Sequence, residues 1–365
     1  MSAFLLACHK EKKDGPVVAP WGEVKQQEIP KSDDFTLDDI VSGGEMIMLT
    51  LSGPGTYYEY HGRELGAHFM LCQRFAKELG VSLRVELCRD TLEMVDKLKA
   101  GRGDVAAFPL PKGVGGADSL DYCGMKSDSL GVAWAVRLGN EQLAKALNEW
   151  YRPEMLDNVR REEKRLLATP KVHRHVFSPF LNRRGGIISK YDALFQKYAP
   201  VARWDWRLMA AQCYQESCFD PNARSWAGAQ GLMQIMPKTA AHLGLKPEEV
   251  NDPEKNIRAA AQLIKELTES FSDVKNVEER KRFVLASYNG GSGHIRDAMA
   301  LTTKQGGNPQ RWADVAERLL LLREPEYYND PVVKHGYIRS TETHDYVELI
   351  LERYKQYRRS APLRR

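Results

Sequence analysis

The sequence predicts an α+β protein of two domains, a small α/β lobe followed by a mainly α-helical domain. Three observations support this. At 365 residues the chain is longer than one typical domain. From residue 45 to about 155, short apolar runs alternate with helical patterns, which is typical of a mostly parallel sheet covered by helices. From about residue 187, helical patterns are separated by long polar and glycine-rich loops.

Seven elements are predicted in the α/β lobe, residues 45–155. Strands are predicted at 46–51, 81–87, 105–108 and 131–136, and helices at 64–79, 92–100 and 141–150. Gly80 and Gly101 follow the first two helices and are expected to end them, and Thr91 is expected to cap the second.

The remaining segments connect or flank the two domains. Residues 9–44, polar with scattered Pro and Gly, and the charged residues 156–186 are predicted to be linkers. The helical domain is expected to span 187–357. Residues 358–365 form a basic tail, for which a solvated surface is favoured over a polyanion site.

The composition excludes several classes of protein. With 42% hydrophobic and 28% charged residues, the chain is globular rather than disordered. The net charge of +4 is small for this length, and no nucleic-acid-binding signature is present. No apolar run is long enough to span a bilayer.

The first eight residues, MSAFLLAC, resemble a bacterial lipobox, in which Cys8 becomes the lipidated first residue. The charged stretch HKEKKDG that follows suits a tether leaving a membrane. The segment lacks a basic n-region and a full-length apolar region, so a chance match is the alternative. The lipobox interpretation predicts an exported protein anchored by acyl chains.

Cysteine spacing predicts neither a metal site nor a disulfide framework. The six cysteines match no zinc pattern. Cys213 and Cys218 lie about 140° apart around one predicted helix, so they are not expected to pair. We expect no metal and no cofactor.

One carboxylate, Glu216, continues the apolar stripe of a predicted helix. On a helical wheel Trp206, Met209, Cys213 and Glu216 fall within about 80° of one another. Burial disfavours the charged form of a carboxyl and raises its pKa, so such an acid can donate a proton near neutral pH. Taken alone, a cap or ion pair at a helix end explains this glutamate equally well.

The loop after this helix changes that balance. Residues 227–234, AGAQGLMQ, combine glycines, which allow close approach of backbone, with the amides of Gln230 and Gln234 and the adaptable apolar Met233. Amides suit the N-acetyl and hydroxyl groups of a saccharide, and a flat apolar surface suits its ring faces. A second loop, SYNGGSGH at 287–294, presents an aromatic and an amide residue. Two such loops around one half-buried acid favour a saccharide site.

The residues 216–240, ESCFDPNARSWAGAQGLMQIMPKTA, and 287–298, SYNGGSGHIRDA, strongly resemble the lytic transglycosylases of bacterial cell-wall turnover, of the soluble-lytic-transglycosylase, goose-lysozyme-like type. The resemblance continues through GNPQRWADVAERL (307–319), EYY (326–328) and HGYIRSTETHDYVELILERY (335–354). It covers about 185–357 and implies a lysozyme-like fold for the helical domain.

The α/β lobe resembles the extracellular solute-binding domains that hold amino acids between two lobes. The resemblance lies in ELGAHFMLCQRFAKELGVSLRVE (64–86), LEMVDKLKAGRGDVAAF (92–108) and VAWAVRLGNEQLAKALNEWY (132–151). In that family a second lobe lies between the elements matched by GDVAAF and VAWAVR. Residues 109–131 are too few for one, since a crossover unit alone takes about 30 residues. We therefore expect a truncated domain that binds no free amino acid and whose sheet edge docks the helical domain or a partner.

The order of these two regions is typical of the membrane-bound lytic murein transglycosylase F family. This resemblance implies a lyase that cleaves the β-1,4 bond between N-acetylmuramic acid (MurNAc) and N-acetylglucosamine (GlcNAc) in peptidoglycan glycan strands. The products carry 1,6-anhydroMurNAc ends, and neither metal nor cofactor is needed. It also implies a lipoprotein at the periplasmic face of the outer membrane.

The resemblance assigns the acid/base role to Glu216. Positions matching the substrate-binding residues of the family are Ser217, Gln230, Gly231, Met233, Gln234, Tyr288, Asn289 and Tyr346. Ser287 stands where alanine is usual and His344 where relatives often have an aromatic residue. No second carboxylate is evident in these motifs, and Asp220 is expected to stabilise its loop.

A single acid suffices if the nucleophile belongs to the substrate. Glu216 would protonate the glycosidic oxygen, Tyr288, Asn289 and the substrate's N-acetyl group would stabilise positive charge at C1, and Glu216 would then deprotonate the C6 hydroxyl. One alternative is a goose-lysozyme-type muramidase, which a second, base-positioned carboxylate would favour. Another is a non-catalytic muropeptide-binding sensor or scaffold.

Overall fold

The computed structural model describes residues 36–114, 120–127, 129–168 and 172–361. It contains an α/β lobe followed by a mainly helical domain, which confirms the predicted fold class. Cys8 and most of the predicted linker 9–44 lie outside the described residues.

The lobe is built from seven strands and five helices within the described ranges. The strands are β1 (Glu45–Thr50), β2 (Tyr58–Tyr60), β3 (Arg63–Leu65), β4 (Ser82–Leu87), β5 (Val105–Pro111), β6 (Leu120–Ser127) and β7 (Val132–Arg137). The helices are α1 (Leu37–Gly43), α2 (Ala67–Glu78), α3 (Thr91–Lys99), α4 (Glu141–Trp150) and α5 (Pro153–Ala168).

The five-stranded sheet has the order β4-β1-β5-β7-β6. Strand β1 pairs in parallel with β4 and β5, but β7 pairs antiparallel with β5 and β6. The prediction of a mostly parallel sheet is therefore wrong for half of the sheet. The reason is the short connection between β5 and β7, which leaves room for the antiparallel strand β6 but for no crossover helix.

Both faces of this sheet are covered. Along β1, Met46 and Met48 enter a core with Phe69, Phe75 and Trp134, whereas Ile47 and Leu49 enter a second core on the opposite face. Side chains of a strand alternate between faces, so a continuous apolar run predicts a strand buried on both sides.

Two local details differ from the predictions. Helix α2 begins at Ala67, because residues 63–65 form β3 and pair with β2 in a hairpin. The N-cap of α3 is Asp90 rather than Thr91, since its carboxylate accepts a hydrogen bond from the Glu93 N–H at 2.8 Å.

The predicted linkers and tail contain ordered structure. Helix α1 lies in the predicted linker 9–44 and buries Ile40 in the lobe core. Helix α5 extends into the predicted linker 156–186 and packs on α2 with Val159 fully buried. Polar and charged residues dominate these segments. A single buried apolar side chain in each was therefore too weak a signal to predict a packed helix.

The helical domain follows with nine α-helices and a short two-stranded sheet in the described residues. The helices are α6 (Asp192–Ala202), α7 (Trp206–Ser217), α8 (Pro237–His242), α9 (Pro253–Ser270), α10 (Val277–Gly290), α11 (Ser292–Lys304), α12 (Trp312–Leu321), α13 (Pro325–Tyr328) and α14 (Thr341–Ser360). Strands β8 (Val172–His173) and β9 (Arg224–Ser225) pair antiparallel. Helix α14 extends into the predicted tail 358–365 because Tyr357 is fully buried.

The lobe docks on the helical domain through the loop that follows β1. The Tyr337 N–H donates to the Ser52 hydroxyl at 2.8 Å, and the rings of Tyr58 and Tyr337 meet edge to face with centroids 5.2 Å apart. A Cβ at Gly336 would lie 2.3 Å from the Ser52 side chain, so the contact needs glycine. Since β1 and its parallel neighbours end at this edge, the structure agrees with the expectation that the sheet edge docks the helical domain.

Two further features bear on location and chemistry. In the described ranges no helix is both long and apolar enough to cross a bilayer. The five described cysteines are buried free thiols, so Cys213 and Cys218 do not pair, as expected.

Candidate active site

Helix α7 presents Glu216 from its last turn. Its apolar face is anchored by Met209 and Cys213, both fully buried, and Trp206 packs against the same core. The helix ends at Cys218, which adopts a left-handed conformation with φ 50°. Glu216 is partly buried where the stripe meets a cleft, as the helical wheel predicts.

One tyrosine and one arginine hold Glu216 in place. The Tyr346 hydroxyl on α14 donates to Glu216 Oε1 at 2.5 Å and accepts from Gln212 Nε2 at 3.2 Å. Arg174 Nη1 donates to the carbonyls of Gln215 at 2.9 Å and of Glu216 at 2.7 Å. These contacts fix the carboxyl group and cap the end of the helix with a cation, which suits its dipole.

Burial sets the protonation state of this acid. It raises the pKa of Glu216 to about 8, against the lowering effect of the Tyr346 hydrogen bond and the Arg174 charge. The nearby Glu342 carboxylate adds to the increase. Glu216 is therefore mainly protonated at neutral pH and can act as a proton donor. Burial and Glu216 together raise the pKa of Tyr288 and Tyr346 far above the ordinary tyrosine value, so both hydroxyls stay neutral.

Asn256 on α9 holds the loop that faces Glu216. Its Oδ1 accepts from the Met233 N–H at 2.8 Å, and its Nδ2 donates to the carbonyls of Val250 at 2.8 Å and Gln230 at 3.2 Å. Gly231 has φ 79°, and a Cβ there would lie 2.4 Å from Asn256 Nδ2. The glycine is thus required by a close approach of two chain segments.

Gln234 is strained and internally bonded. It has φ 48°, and its side-chain amide donates to the carbonyls of Ala223 at 3.0 Å and Gly231 at 2.9 Å. A non-glycine residue with positive φ persists only where surrounding contacts hold it. The Gln234 amide, which was predicted to bind a saccharide, thus mainly stabilises the loop through these two hydrogen bonds.

Tyr288 and Asn289, in the last turn of α10, tie three elements together. The Tyr288 hydroxyl donates to the Met233 carbonyl at 2.7 Å, and Asn289 Oδ1 accepts from the Thr343 hydroxyl on α14 at 2.9 Å. Asp220 has the expected loop role, since its carboxylate accepts from the His175 N–H at 2.7 Å and the Asn222 N–H at 2.9 Å.

These elements enclose a cleft of about 390 Å³. Of the predicted site residues, five line it: Glu216, Gln234, Tyr288, Asn289 and Tyr346. Gln230 lies on the loop, half-exposed, but outside this lining.

Three residues predicted to bind substrate do not line the cleft. Ser217 and Met233 are fully buried, and Gly231 is also buried. The Ser217 hydroxyl instead donates to the Cys213 carbonyl at 3.1 Å inside α7. These residues support the site from behind. The sequence could not reveal this, because a motif match does not show which way a side chain points.

The opposite wall of the cleft contains residues that sequence reasoning missed. Tyr60 and His61, at the tip of the β2–β3 hairpin, bring the α/β lobe to the cleft. The Tyr60 hydroxyl donates to Glu342 Oε2 at 2.5 Å, and His61 Nε2 lies 3.0 Å from the same oxygen. A second carboxylate, Glu342, therefore lines the cleft, although none was evident in the sequence motifs. Glu342 lies four residues before Tyr346, and helical spacing alone could have placed both on one face.

The donor set does not suggest a metal site. Within the described part of the chain, no group of three or more His, Cys, Asp or Glu side chains is arranged to hold a metal ion. That the protein needs neither metal nor cofactor stays a prediction.

Comparison with known proteins is most informative for the helical domain. The family model described as "Transglycosylase SLT domain" matches residues 193–310, which include Glu216 and Tyr288. Residues 193–310 are therefore similar to an SLT domain. This region supplies Glu216, the glycine-rich loops and α10, whereas Glu342 and Tyr346 lie beyond the matched residues.

Curated relatives extend this similarity. A protein of Desulfosudis oleivorans is 36% identical over 226 residues, covering 61% of this chain and 49% of the relative. A Vibrio campbellii protein is 40% identical over 176 residues, covering 48% of this chain and 32% of the relative. Both are named membrane-bound lytic murein transglycosylase F. The chain spans about a third to a half of the length of these relatives.

Solved structures resemble each part separately. The 70 kDa soluble lytic transglycosylase of Escherichia coli is 26% identical, with 46% of this chain and 24% of that chain covered and a TM-score of 0.35. The arginine-bound domain 1 of TmArgBP is 19% identical, with 33% of this chain and 98% of that chain covered and a TM-score of 0.28.

Proposed function

We propose that this protein is a peptidoglycan lytic transglycosylase. It cleaves the β-1,4 bond between MurNAc and GlcNAc and leaves 1,6-anhydroMurNAc ends. The observation that carries the proposal is Glu216, an acid of the SLT domain that is held protonated beside a cleft by burial. The names of the curated relatives point to the same activity.

In the first half of the reaction Glu216 is the general acid. Tyr346 donates its hydrogen bond to Oε1, so Oε2 is the oxygen available to carry the proton. That proton passes to the glycosidic oxygen as the C1–O bond breaks, and the GlcNAc hydroxyl leaves. The carboxylate that remains is stabilised by Tyr346 and the Arg174 charge.

In the second half the same residue is the base. Positive charge at C1 of the muramyl ring is stabilised by the substrate's N-acetyl oxygen and by the dipoles of Tyr288 and Asn289, which line the cleft. Glu216 then removes the C6 hydroxyl proton, O6 bonds to C1, and the acid is restored. No water molecule is consumed, because the nucleophile is the substrate's own C6 hydroxyl.

The second carboxylate makes a muramidase the specific alternative. Glu342 lines the same cleft and could position a water molecule. It is already engaged by Tyr60 and His61, however, and these contacts hold it against the wall formed by the α/β lobe. A non-catalytic sensor or scaffold is disfavoured because the acid and its supporting contacts are intact.

Substrate and location follow as further parts of the proposal. The partner is the glycan strand of peptidoglycan, and the protein acts in the cell envelope as a lipoprotein of the outer membrane, anchored at Cys8. The relatives' names describe membrane-bound proteins. The domain limits proposed from the sequence are kept, apart from the helices found in the two linkers and the tail.

The test is digestion of purified sacculi followed by mass spectrometry of the fragments. Anhydromuramyl ends support the proposal, reducing muramyl ends show a hydrolase, and no cleavage shows a scaffold. Glu216→Gln should lower turnover by about 10²–10⁴-fold, because the amide cannot transfer the proton. Activity within a few-fold of the parent protein would contradict the assigned role of this residue.

A further inference from the structure

A surface away from the cleft exposes an unusual number of apolar side chains. Among the described residues, eleven large hydrophobic side chains are exposed, and four of them lie within residues 176–187. These are Val176 at 66%, Phe177 at 41%, Leu181 at 65% and Ile187 at 41% exposure. Single exposed apolar residues are ordinary, but a cluster of this kind marks an interaction site.

The same segment is strongly basic. No Asp or Glu occurs between Glu163 and Asp192, and Arg183, Arg184 and Lys190 are exposed within that stretch. The charge is local, since the whole chain carries a net charge of only +4.

The structure places these residues beside the end of α14. Residues 181–188 form a tight hairpin, with the Leu181 N–H bonded to the Ile188 carbonyl at 2.9 Å and the two arginines at its tip. Phe180 packs edge to face on Tyr357 with centroids 5.1 Å apart. The exposed Arg358 and Arg359 follow directly, so they add to one surface. We call residues 176–190 together with 358–359 the basic–apolar patch.

The acidic residues at the border of this patch are used internally. Asp192 accepts hydrogen bonds from the N–H groups of Ile188 at 2.9 Å and Ser189 at 2.8 Å. Asp205 is paired with Arg207. Neither carboxylate is therefore available to neutralise the arginines at the hairpin tip.

We propose that the basic–apolar patch docks on an anionic phospholipid surface. A bilayer interface accepts apolar side chains below the headgroups while the headgroups attract arginine and lysine, which is the combination found here. The C–H faces of a glycan strand are small and edged by hydroxyl groups, so they bury Val176 and Leu181 less well than lipid acyl chains do. An acidic protein surface would pair with the arginines but would offer no hydrocarbon layer for the exposed apolar side chains around them.

This docking is linked to the cleft by one chain segment. Val172 lines the cleft, Arg174 bonds the carbonyls of Gln215 and Glu216, and the patch begins two residues later at Val176. A membrane contact at the patch would thus hold the catalytic helix at a fixed height above the lipid. This inference is independent of the chemistry proposed for Glu216.

The test measures vesicle binding by the full chain carrying Cys8→Ser, so that an acyl anchor cannot contribute. Vesicles of phosphatidylglycerol mixed with phosphatidylcholine are compared with pure phosphatidylcholine by co-sedimentation. We expect binding only to the anionic vesicles. Arg183→Glu with Arg184→Glu should weaken it by roughly 30-fold or more, since each basic residue near such a surface contributes about fivefold. Val176→Ser with Leu181→Ser should weaken it several-fold.

Matched controls come from the α/β lobe. Lys77→Glu with Arg102→Glu makes the same charge change at exposed positions, and Leu92→Ser with Leu138→Ser removes equally exposed apolar side chains. Both controls should bind as the parent does. Thermal unfolding and cleavage of soluble glycan should be unchanged in all four variants, which separates docking from folding and catalysis.

Four outcomes would overturn the proposal. They are no binding of the parent to anionic vesicles, equal binding of the parent to anionic and neutral vesicles, equal loss in the patch and control variants, and patch variants that bind vesicles normally but lose binding to sacculi. The last outcome would assign the patch to peptidoglycan.

Discussion

Replacing Glu216 with glutamine should stabilise the fold while it removes activity. In the unfolded chain this carboxyl titrates near its ordinary pKa of 4.5, whereas in the folded protein burial raises the pKa to about 8. Between these values the unfolded state gains free energy by ionising and the folded state does not. Glutamine keeps the shape and can still accept the Tyr346 hydrogen bond. Because it does not ionise, the unfolded state of the variant gains no such free energy relative to the folded state.

The size of the effect follows from proton linkage. A carboxyl with a raised folded pKa costs nothing well below pH 4.5, and its cost grows as pH rises toward the folded pKa of about 8. At pH 7 the two values give a cost of about 3 kcal/mol. Glu216 keeps some contact with water, so this is an upper bound and a gain of about 1–3 kcal/mol is expected for Glu216→Gln.

The assay is urea denaturation of the parent and variant at pH 4 and at pH 7. We expect equal free energies of unfolding at pH 4 and a more stable variant at pH 7. Glu248→Gln is the matched control, because this glutamate is exposed on the same domain, and its effect should be small at both pH values. Sacculus digestion by the same preparations measures the loss of activity.

Two results would refute the reasoning. If the variant is no more stable than the parent at pH 7, burial does not hold the acid protonated. If the gain is equal at pH 4 and pH 7, its origin is packing rather than ionisation.

Four further outcomes are expected. Tyr346→Phe removes a hydrogen bond that lowers the pKa of Glu216. The basic limb of the kcat/KM profile, measured by stopped assays across pH, should therefore move to higher pH. A move to lower pH would contradict this reasoning. Gly231→Ala should cost at least about 1–3 kcal/mol in thermal or urea unfolding, since its Cβ would lie 2.6 Å from a backbone carbonyl; Gly244→Ala, also at positive φ but in open space, should cost less. EDTA should leave sacculus cleavage unchanged, and restoration by one metal after a loss would reveal a missed site. Cys8→Ser should release the protein from high-salt-washed membrane fractions if the lipobox prediction is right, and retention of most of the protein would contradict that prediction.

The sequence by itself determined the fold class and indicated the chemistry that we propose. The stripe from Met209 through Cys213 to Glu216 was readable because helical period alone places these side chains on one face. The apolar run of β1 and the glycine-rich loops were readable for the same reason, since local spacing sets their conformation. The half-buried state of Glu216 and the bracing role of Asp220 follow from such local patterns.

Only the tertiary structure decided which residues meet across the cleft. Glu342 and Tyr346 are 126 or more residues from Glu216 in the chain, and Tyr60 and His61 come from the other domain. No local period encodes a contact of that range, because it depends on how α14 and the β2–β3 hairpin pack. Burial likewise turned Ser217 and Met233 away from the cleft, although both lie in the motif. The physical reason is that spacing along one element determines which side chains share a face of that element. Whether that face lines the cleft or lies in the core depends on the other elements packed against it.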